Sequence, residues 1–312
     1  MTEFVTFGET MAVFVPETRG LPRYQARYVL RAAGAESCTA AGMCRLGHSA
    51  AWLSRLGDDE MGHWILRAVR AEGVDTGAVV MDGSARTGIA LQQTMPGRGG
   101  SDLSRCCEES AASRFSAADI PGDAVKNARI LYLTGVTPLL SAVCRDAVYH
   151  AIYTALKNHV RIAFDPNIRR AHWDYDHSIL MRELCKFGNI ILLSLDEAER
   201  LYDTRDPERL RSLLLRGDDG KLAVLRKETQ GAVLLSASEI LTVEPLANAS
   251  VGAPAPLCDV SDAFNAAFLS GILEEKSLAD CGRMAAAASA CAAQFSDPRE
   301  GLPHRALLEP LR

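Results

Sequence analysis

The chain has 312 residues, 48% of them hydrophobic, and a net charge of −5 with both signs scattered rather than blocked. That length buries a large core and fits one α/β domain with a small appendage. The scattered charge argues against nucleic acid or an anionic membrane as the main partner. No stretch reaches the length of an uncharged membrane span, and the opening MTEFVTFGET reads as a strand rather than a signal peptide, so a cytoplasmic protein is expected. The nine cysteines are odd in number and form no C-x-x-C pair, which points to reduced thiols used as small core residues. Cys106 and Cys107, adjacent in a polar stretch, are expected to be exposed and oxidisable.

Residues 4–15 (FVTFGETMAVFV) read as buried strand broken at Gly8-Glu9, and a second extended run is expected near Tyr24 to Leu30. AAGAESCTAAGMCRLG follows as a helix whose apolar face (Ala40, Ala41, Met43, Cys44, Leu46) ends at Gly47. Next come a strand at Ala51 to Ser54, a turn at Gly57-Asp58-Asp59, and a helix carrying Ile65, Leu66 and Val69 that stops at Gly73. IALQQT, a turn rich in glycine, and DLSRCC read as a hairpin. Met11, Val13 and Val15, together with Ile89 and Leu91, are expected to form one apolar face of a small sheet.

From Ala128 short apolar runs alternate with helices: RILYLTG, helix 141–158, RIAFDPN, helix 177–187, NIILLSL, helices 196–202 and 207–215, KLAVLRK, and the hairpin-like GAVLLSASEILTVEP. This pattern predicts a mostly parallel sheet covered by helices on both faces, with any ligand beyond the carboxyl ends of its strands. The polar residues just after each strand are therefore the site candidates. The absence of G-x-G-x-x-G after the first strand argues against a dinucleotide-binding dehydrogenase.

Within VGAPAPLCDVSDAFNAAFLSGIL a proline-punctuated segment gives way to a buried helix at Ser261-Asp262. The helix start offers unpaired amides and the positive end of a dipole, a setting suited to an anion. Asp262 reads either as a cap carboxylate or as a group acting on that anion.

The run D-A-F-x-A-x-F-L-x-G resembles the signature of the ribokinase-like sugar kinases, the phosphofructokinase B family. Gly34, Ala35, Glu36, Ala40, Leu46, Gly47, Arg55, Leu56, Gly57, Asp59 and Gly62 resemble the family's N-terminal signature, while Asp165, Pro166, Asn167 and Arg169 match D-P-N-x-R. The wording GETMAVFVPE and SAASR is most similar to 2-keto-3-deoxygluconate kinases. The resemblance implies a three-layer α/β sandwich spanning 1–312, with a β-sheet lid formed by about 10–32 and 86–113, and a homodimer joined through the lids. It further implies an ATP-dependent kinase for a sugar or sugar acid, with Mg2+ and, as a further candidate, a monovalent cation.

Residue by residue, the resemblance makes Asp262 the catalytic base and Asp259, Val260 and Ser261 the anion hole. Gly34, Ala35, Cys38, Arg105, Gly135, Asp165, Asn167 and Arg169 fall on the substrate side. Ser194, Arg226, Lys227, Glu228 and Gly231 fall on the nucleotide side, and Glu197 orders water on a metal. Ser194 with Glu197 three residues on is equally a capping box.

Departures from the family pattern cluster at ligand positions: Pro256, Leu257, Asp259 and Ser261 stand where Asp, Thr, Gly and Gly are usual, Cys38 replaces a sugar-binding Asn, and Glu228 replaces a Gly. At ~4 Å and an effective dielectric of ~20, Asp259 repels each unit of phosphate charge by about 4 kcal/mol. The alternative expectation is thus a catalytically impaired relative acting as a sugar-binding or regulatory protein.

Overall fold

Strand and helix assignments follow from two periodicities, apolar runs of four to six residues that form strands and three-to-four spacing that forms helices. The computed structural model describes residues 2–18, 21–94, 101–106, 109–167, 174–227, 231–245, 260–295 and 299–308. The chain opens with β1 (Phe4–Phe7) and β2 (Met11–Pro16), divided at the Gly8-Glu9 break. Pro22–Tyr24 closes into a 3-10 turn, so the next strand, β3 (Tyr28–Ala33), begins later than the sequence pattern suggests. Proline's fixed φ suits a turn better than an extended ladder. Then follow α1 (Ala35–Arg45), β4 (Ala50–Leu53), β5 (Arg55–Gly57), α2 (Glu60–Arg70), β6 (Val80–Asp82), β7 (Ile89–Thr94) and β8 (Ser101–Arg105). Asp59 caps α2, its side chain accepting from the Gly62 N–H at 2.8 Å.

The regular half contains β9 (Ile130–Thr134), α3 (Thr137–Leu140), α4 (Ala142–Lys157), β10 (Arg161–Asp165), α5 (Tyr175–Phe187), β11 (Ile190–Ser194), α6 (Leu195–Tyr202) and α7 (Pro207–Leu215). It ends with β12 (Leu222–Arg226), β13 (Ala232–Leu235), β14 (Ile240–Val243), α8 (Val260–Leu273), α9 (Leu278–Ala292) and the short α10 (Arg305–Leu308). The main sheet runs in the order β14-β13-β12-β11-β10-β9-β1-β4. It is parallel from β4 to β12, and β13 and β14 add an antiparallel edge.

Alternate residues of each buried strand supply the two faces. Phe4, Tyr132, Ala163, Leu192 and Val224 pack toward α1, α2, α8 and α9. Val5, Leu131, Phe164, Leu193 and Leu225 pack toward α4 to α7. At roughly 25 cal/mol per Å² of apolar surface, these two layers are the main stabilising term. The result is a ribokinase-like three-layer α/β sandwich.

A second sheet, β3-β2-β7-β8, is built from the predicted small-sheet strands. The β2 to β7 register pairs Ala12 with Ile89, Val13 with Ala90 and Phe14 with Leu91. Met11, Val13 and Val15 therefore share their face with Ala90, and Ile89 and Leu91 lie on the opposite one, which corrects the single apolar face expected from the sequence. The cause is the period of two: an offset of one residue moves a whole strand's side chains across the sheet. Val13, Ala33 and Ala90 pack with Cys38 of α1, while Ala12 and Ala32 on the other face, with half-buried Leu30 and Ile89, join the main core.

Candidate active site

The parallel strands β9 to β12 end side by side, and their carboxyl ends carry Gly135, Asp165 to Asn167, Ser194 and Arg226. The first turn of α8, with Val260, Ser261 and Asp262, packs onto the same layer. Asp262 lies inside the helix, which begins at Val260, rather than at the cap position read from the sequence. It is 3% exposed. First-turn N–H groups have no acceptor within the helix, so the turn that carries Asp262 also offers backbone donors.

Beneath these residues lies a buried polar network. Arg226 grips Asp165 with both guanidinium nitrogens, each at 3.0 Å, and donates to Oδ1 of Asn265 at 2.6 Å. Asn265 in turn donates through Nδ2 to Asp165 Oδ2 at 2.7 Å and to the Tyr132 hydroxyl at 3.2 Å. The Asn167 N–H donates to Asp165 Oδ1 at 3.1 Å, and Asn167 takes a left-handed φ of 41° that an asparagine tolerates. Asp165 thus orders the turn that presents half-buried Asn167. Its own carboxylate is fully buried and engaged with Arg226, which corrects its assignment as a substrate contact. Arg226 is corrected for the same reason: its head lies in the interior instead of facing a nucleotide. Burial opposes its charge, but Asp165 and Glu197 together hold the guanidinium protonated.

Glu197 and Ser194 form the capping box on α6, the Ser194 N–H donating to Glu197 Oε2 at 2.7 Å and the Glu197 N–H to Ser194 Oγ at 3.1 Å. Glu197 Oε2 also lies 3.6 Å from Arg226. Burial first, and then the Asp165 charge, push the Glu197 carboxyl up to about 7. Gly135 accommodates a close approach, since a Cβ there would fall 2.2 Å from the Pro166 carbonyl oxygen. The sequence offers Gly135 as room for a sugar; in the fold that room is taken by the Asp165-Pro166 turn. Gly231 has φ +83°, and a Cβ would meet the Val243 carbonyl oxygen at 2.0 Å. Its carbonyl accepts from the N–H of half-buried Lys227 at 2.8 Å, one residue beyond the paired ends of β12 and β13.

On the small-sheet side, Gly34 precedes α1 with its Cα packed against the Glu9 carbonyl oxygen and Thr10, and Ala35 is half-buried at the first helical position. Cys38 is fully buried against Val13, Ala33 and Ala90, an apolar contact where a sugar contact is expected. Arg105 pairs through both guanidinium nitrogens with Glu9, whose Oε1 also accepts from Ser110 at 2.6 Å. The carboxylate expected to meet Arg105 in a ligand is here supplied by the protein. Glu36 is buried below and accepts from Thr134 at 2.6 Å and Thr137 at 2.8 Å. Its carboxyl is pushed up to about 7, chiefly by burial.

Arg169, Glu228 and Asp259 lie outside the described residues, as does Cys107; Cys106 is exposed. Among the described residues no three His, Cys, Asp or Glu side chains are grouped to hold a metal ion, and no helix is long and apolar enough to cross a membrane. The donors present fit a magnesium ion held mainly by phosphate and water better than one in a protein cage. Sequence reasoning did not single out Tyr132, Asn265 or Glu9 as site residues. Each stood out only as a polar group in an apolar run: Tyr132 in ILYLT, Asn265 in DAFNAAF, and Glu9 directly after a buried strand.

A mostly parallel sheet, polar turns at its carboxyl ends, a helix start bearing a buried aspartate and a small flanking sheet together define the ribokinase-like class. The pfkB family carbohydrate kinase model matches residues 1–305, and the chain belongs to this family. Over 305 residues it is 30% identical to the 2-dehydro-3-deoxygluconokinase of Bacillus subtilis, covering 96% of this chain and 92% of that one. The crystal structure of a PfkB protein from Polaromonas sp. JS666 superposes with a TM-score of 0.87 at 28% identity, covering 99% of both chains. A ribokinase II candidate from E. coli, solved with ATP and Mg2+, shares the fold with a TM-score of 0.89 at 22% identity, covering 100% of this chain and 99% of that one.

Proposed function

We propose that the protein is an ATP-dependent kinase that phosphorylates a primary hydroxyl of a small sugar or sugar acid resembling 2-keto-3-deoxygluconate. The observation that carries this reading is Asp262, buried in the first turn of α8 beside the strand ends of a carbohydrate-kinase fold. The B. subtilis relative supports the acceptor class, and the E. coli neighbour solved with ATP and Mg2+ supports the donor.

Asp262 takes the proton of the acceptor hydroxyl as that oxygen attacks the terminal phosphoryl group. The amides at the start of α8, from Val260 and Ser261, stabilise the charge that develops. Asn167, in the turn after β10, orients the acceptor together with Arg169. The small sheet acts as a lid that excludes water, and two copies of it, meeting through half-buried Phe14 and Leu91, join in a homodimer. Glu197 is the residue that would hold magnesium, through water, and the ion would supply neutralisation of the phosphate charge.

The test is a calorimetric titration with Mg-ATP, with and without 2-keto-3-deoxygluconate, beside turnover by Asp262→Asn. The variant should keep fold and acceptor affinity while losing about 10²- to 10⁴-fold in kcat, the contribution of a positioned proton acceptor. Undiminished turnover refutes the assignment of Asp262. Acceptor binding without nucleotide binding refutes the kinase reading in favour of a sugar-binding protein.

A further inference from the structure

Asn265 lies three residues after Asp262 on one helix, so both project from the same side of α8 about 4.5 Å apart along its axis. It is 0% exposed. Its amide uses both ends, accepting from Arg226 at 2.6 Å and donating to Asp165 at 2.7 Å and Tyr132 at 3.2 Å. These three partners sit on β12, β10 and β9. The side chains flanking it in α8, Phe264 and Phe268, contribute apolar packing, which sets the rotation of the helix less sharply than a hydrogen bond does. A donor and an acceptor fixed to different strands set it more sharply. Asp165 carries the connection onward, because it accepts the Asn167 N–H in the turn after β10. The Tyr132 hydroxyl feels the charges of both Asp165 and Asp262, although burial is the larger influence on it, so the network and the aspartate share one electrostatic environment.

We propose that Asn265 is a positioning residue: its amide locks the first turn of α8, and with it Asp262, in register with the Asp165 to Asn167 turn that presents the acceptor. This rests on the kinase reading above. The amide does not touch the reacting atoms and acts through the orientation of Asp262. A merely structural asparagine would affect the folded fraction alone; a positioning asparagine affects turnover per folded molecule.

Asn265→Leu keeps the side-chain volume and leaves the bidentate pair of Asp165 and Arg226 in place. Assayed with Mg-ATP and 2-keto-3-deoxygluconate or neutral hexoses, and normalised to folded protein by circular dichroism, its kcat should fall about a hundredfold, the scale for a misplacement of roughly 1 Å. The acceptor KM should change by less than about threefold, since ground-state contacts are untouched. Asn265→Asp is the rescue variant, because a protonated carboxyl offers one donor and one acceptor where the amide had them. Its kcat relative to the unmodified protein should rise as pH is lowered from about 8 to about 6, since full burial and the Asp165 charge at 2.7 Å favour protonation and together outweigh the Arg226 guanidinium at 2.6 Å, with the neutral Tyr132 hydroxyl at 3.2 Å. Should Asn265→Leu fail to fold, the pH response of Asn265→Asp decides alone, and a flat ratio overturns the inference. An active unmodified protein with unchanged kcat per folded molecule in Asn265→Leu overturns the inference and leaves the kinase reading standing. An unmodified protein that turns over no acceptor overturns both.

Discussion

Arg226→Met removes the only cation hydrogen-bonded to Asp165 among the described residues, and it removes it from a carboxylate with no exposed surface. Three hydrogen bonds are lost, two to Asp165 and one to Asn265. Asp165 keeps the Asn265 amide and the Asn167 N–H but loses its counter-charge. Breaking a buried pair on one side costs about 3 to 5 kcal/mol, because the remaining ion stays desolvated. Against a typical stability of about 5 to 15 kcal/mol, that is a large fraction of the total. Asp165→Asn in the same background removes the orphaned charge, so the double variant should be less destabilised than the sum of the singles by roughly 2 to 3 kcal/mol. Urea denaturation of the four proteins, followed by circular dichroism with slopes compared, gives the cycle. A loss below about 1 kcal/mol for Arg226→Met, the range of an exposed ion pair, would refute the reasoning by showing that water reaches Asp165.

Two further predictions concern Glu36 and the small sheet. The Glu36 carboxyl is pushed up from 4.5 to about 7, so the folded protein binds that proton more tightly than the unfolded chain, and the resulting stability is complete below about 4.5 and is lost as pH rises through about 7. Glu36→Gln, which can still accept from Thr134 and Thr137, should therefore be more stable than the unmodified protein by on the order of 3 kcal/mol at about pH 8.5, with the advantage vanishing below about pH 4; a difference that does not vary with pH in denaturant titrations would contradict the protonation argument. Phe14→Glu, on the face shared with Leu30 and Leu91, should convert a dimer to a monomer in light scattering at micromolar concentration. A monomeric unmodified protein would count against that interface.

The strands and helices of the regular half were legible because their apolar periods are unambiguous: the helix expected at 207–215 is α7, Pro207–Leu215, and the one at 141–158 is α4, Ala142–Lys157. The family was legible as well, since Asp165, Pro166 and Asn167, and Asp262 with the DAFNAAF helix, are local patterns that survive without coordinates. The start of β3 was misread, because the run of residues after Pro22 carries no sign of whether a 3-10 turn or a ladder partner holds it. The same limit hid which face of the small sheet Ile89 and Leu91 occupy, since a strand's sequence gives two faces but only its register with β2 says which β2 side chains share each one.

The partners of charged residues lay furthest beyond the sequence. Asp165 and Arg226 are 61 positions apart, and Glu9 and Arg105 are 96 apart. Asp165, Arg226 and Arg105 each read alone as a group waiting for a ligand, and Glu9 draws no such reading at all. A side chain's type fixes what it can bond, so the sequence by itself determined the secondary elements, the family and the candidate chemistry of Asp262. Whether a carboxylate meets substrate or another part of the chain depends on which strand ends the fold brings within about 3 Å, the reach of a hydrogen bond, and that was decided by the tertiary structure alone.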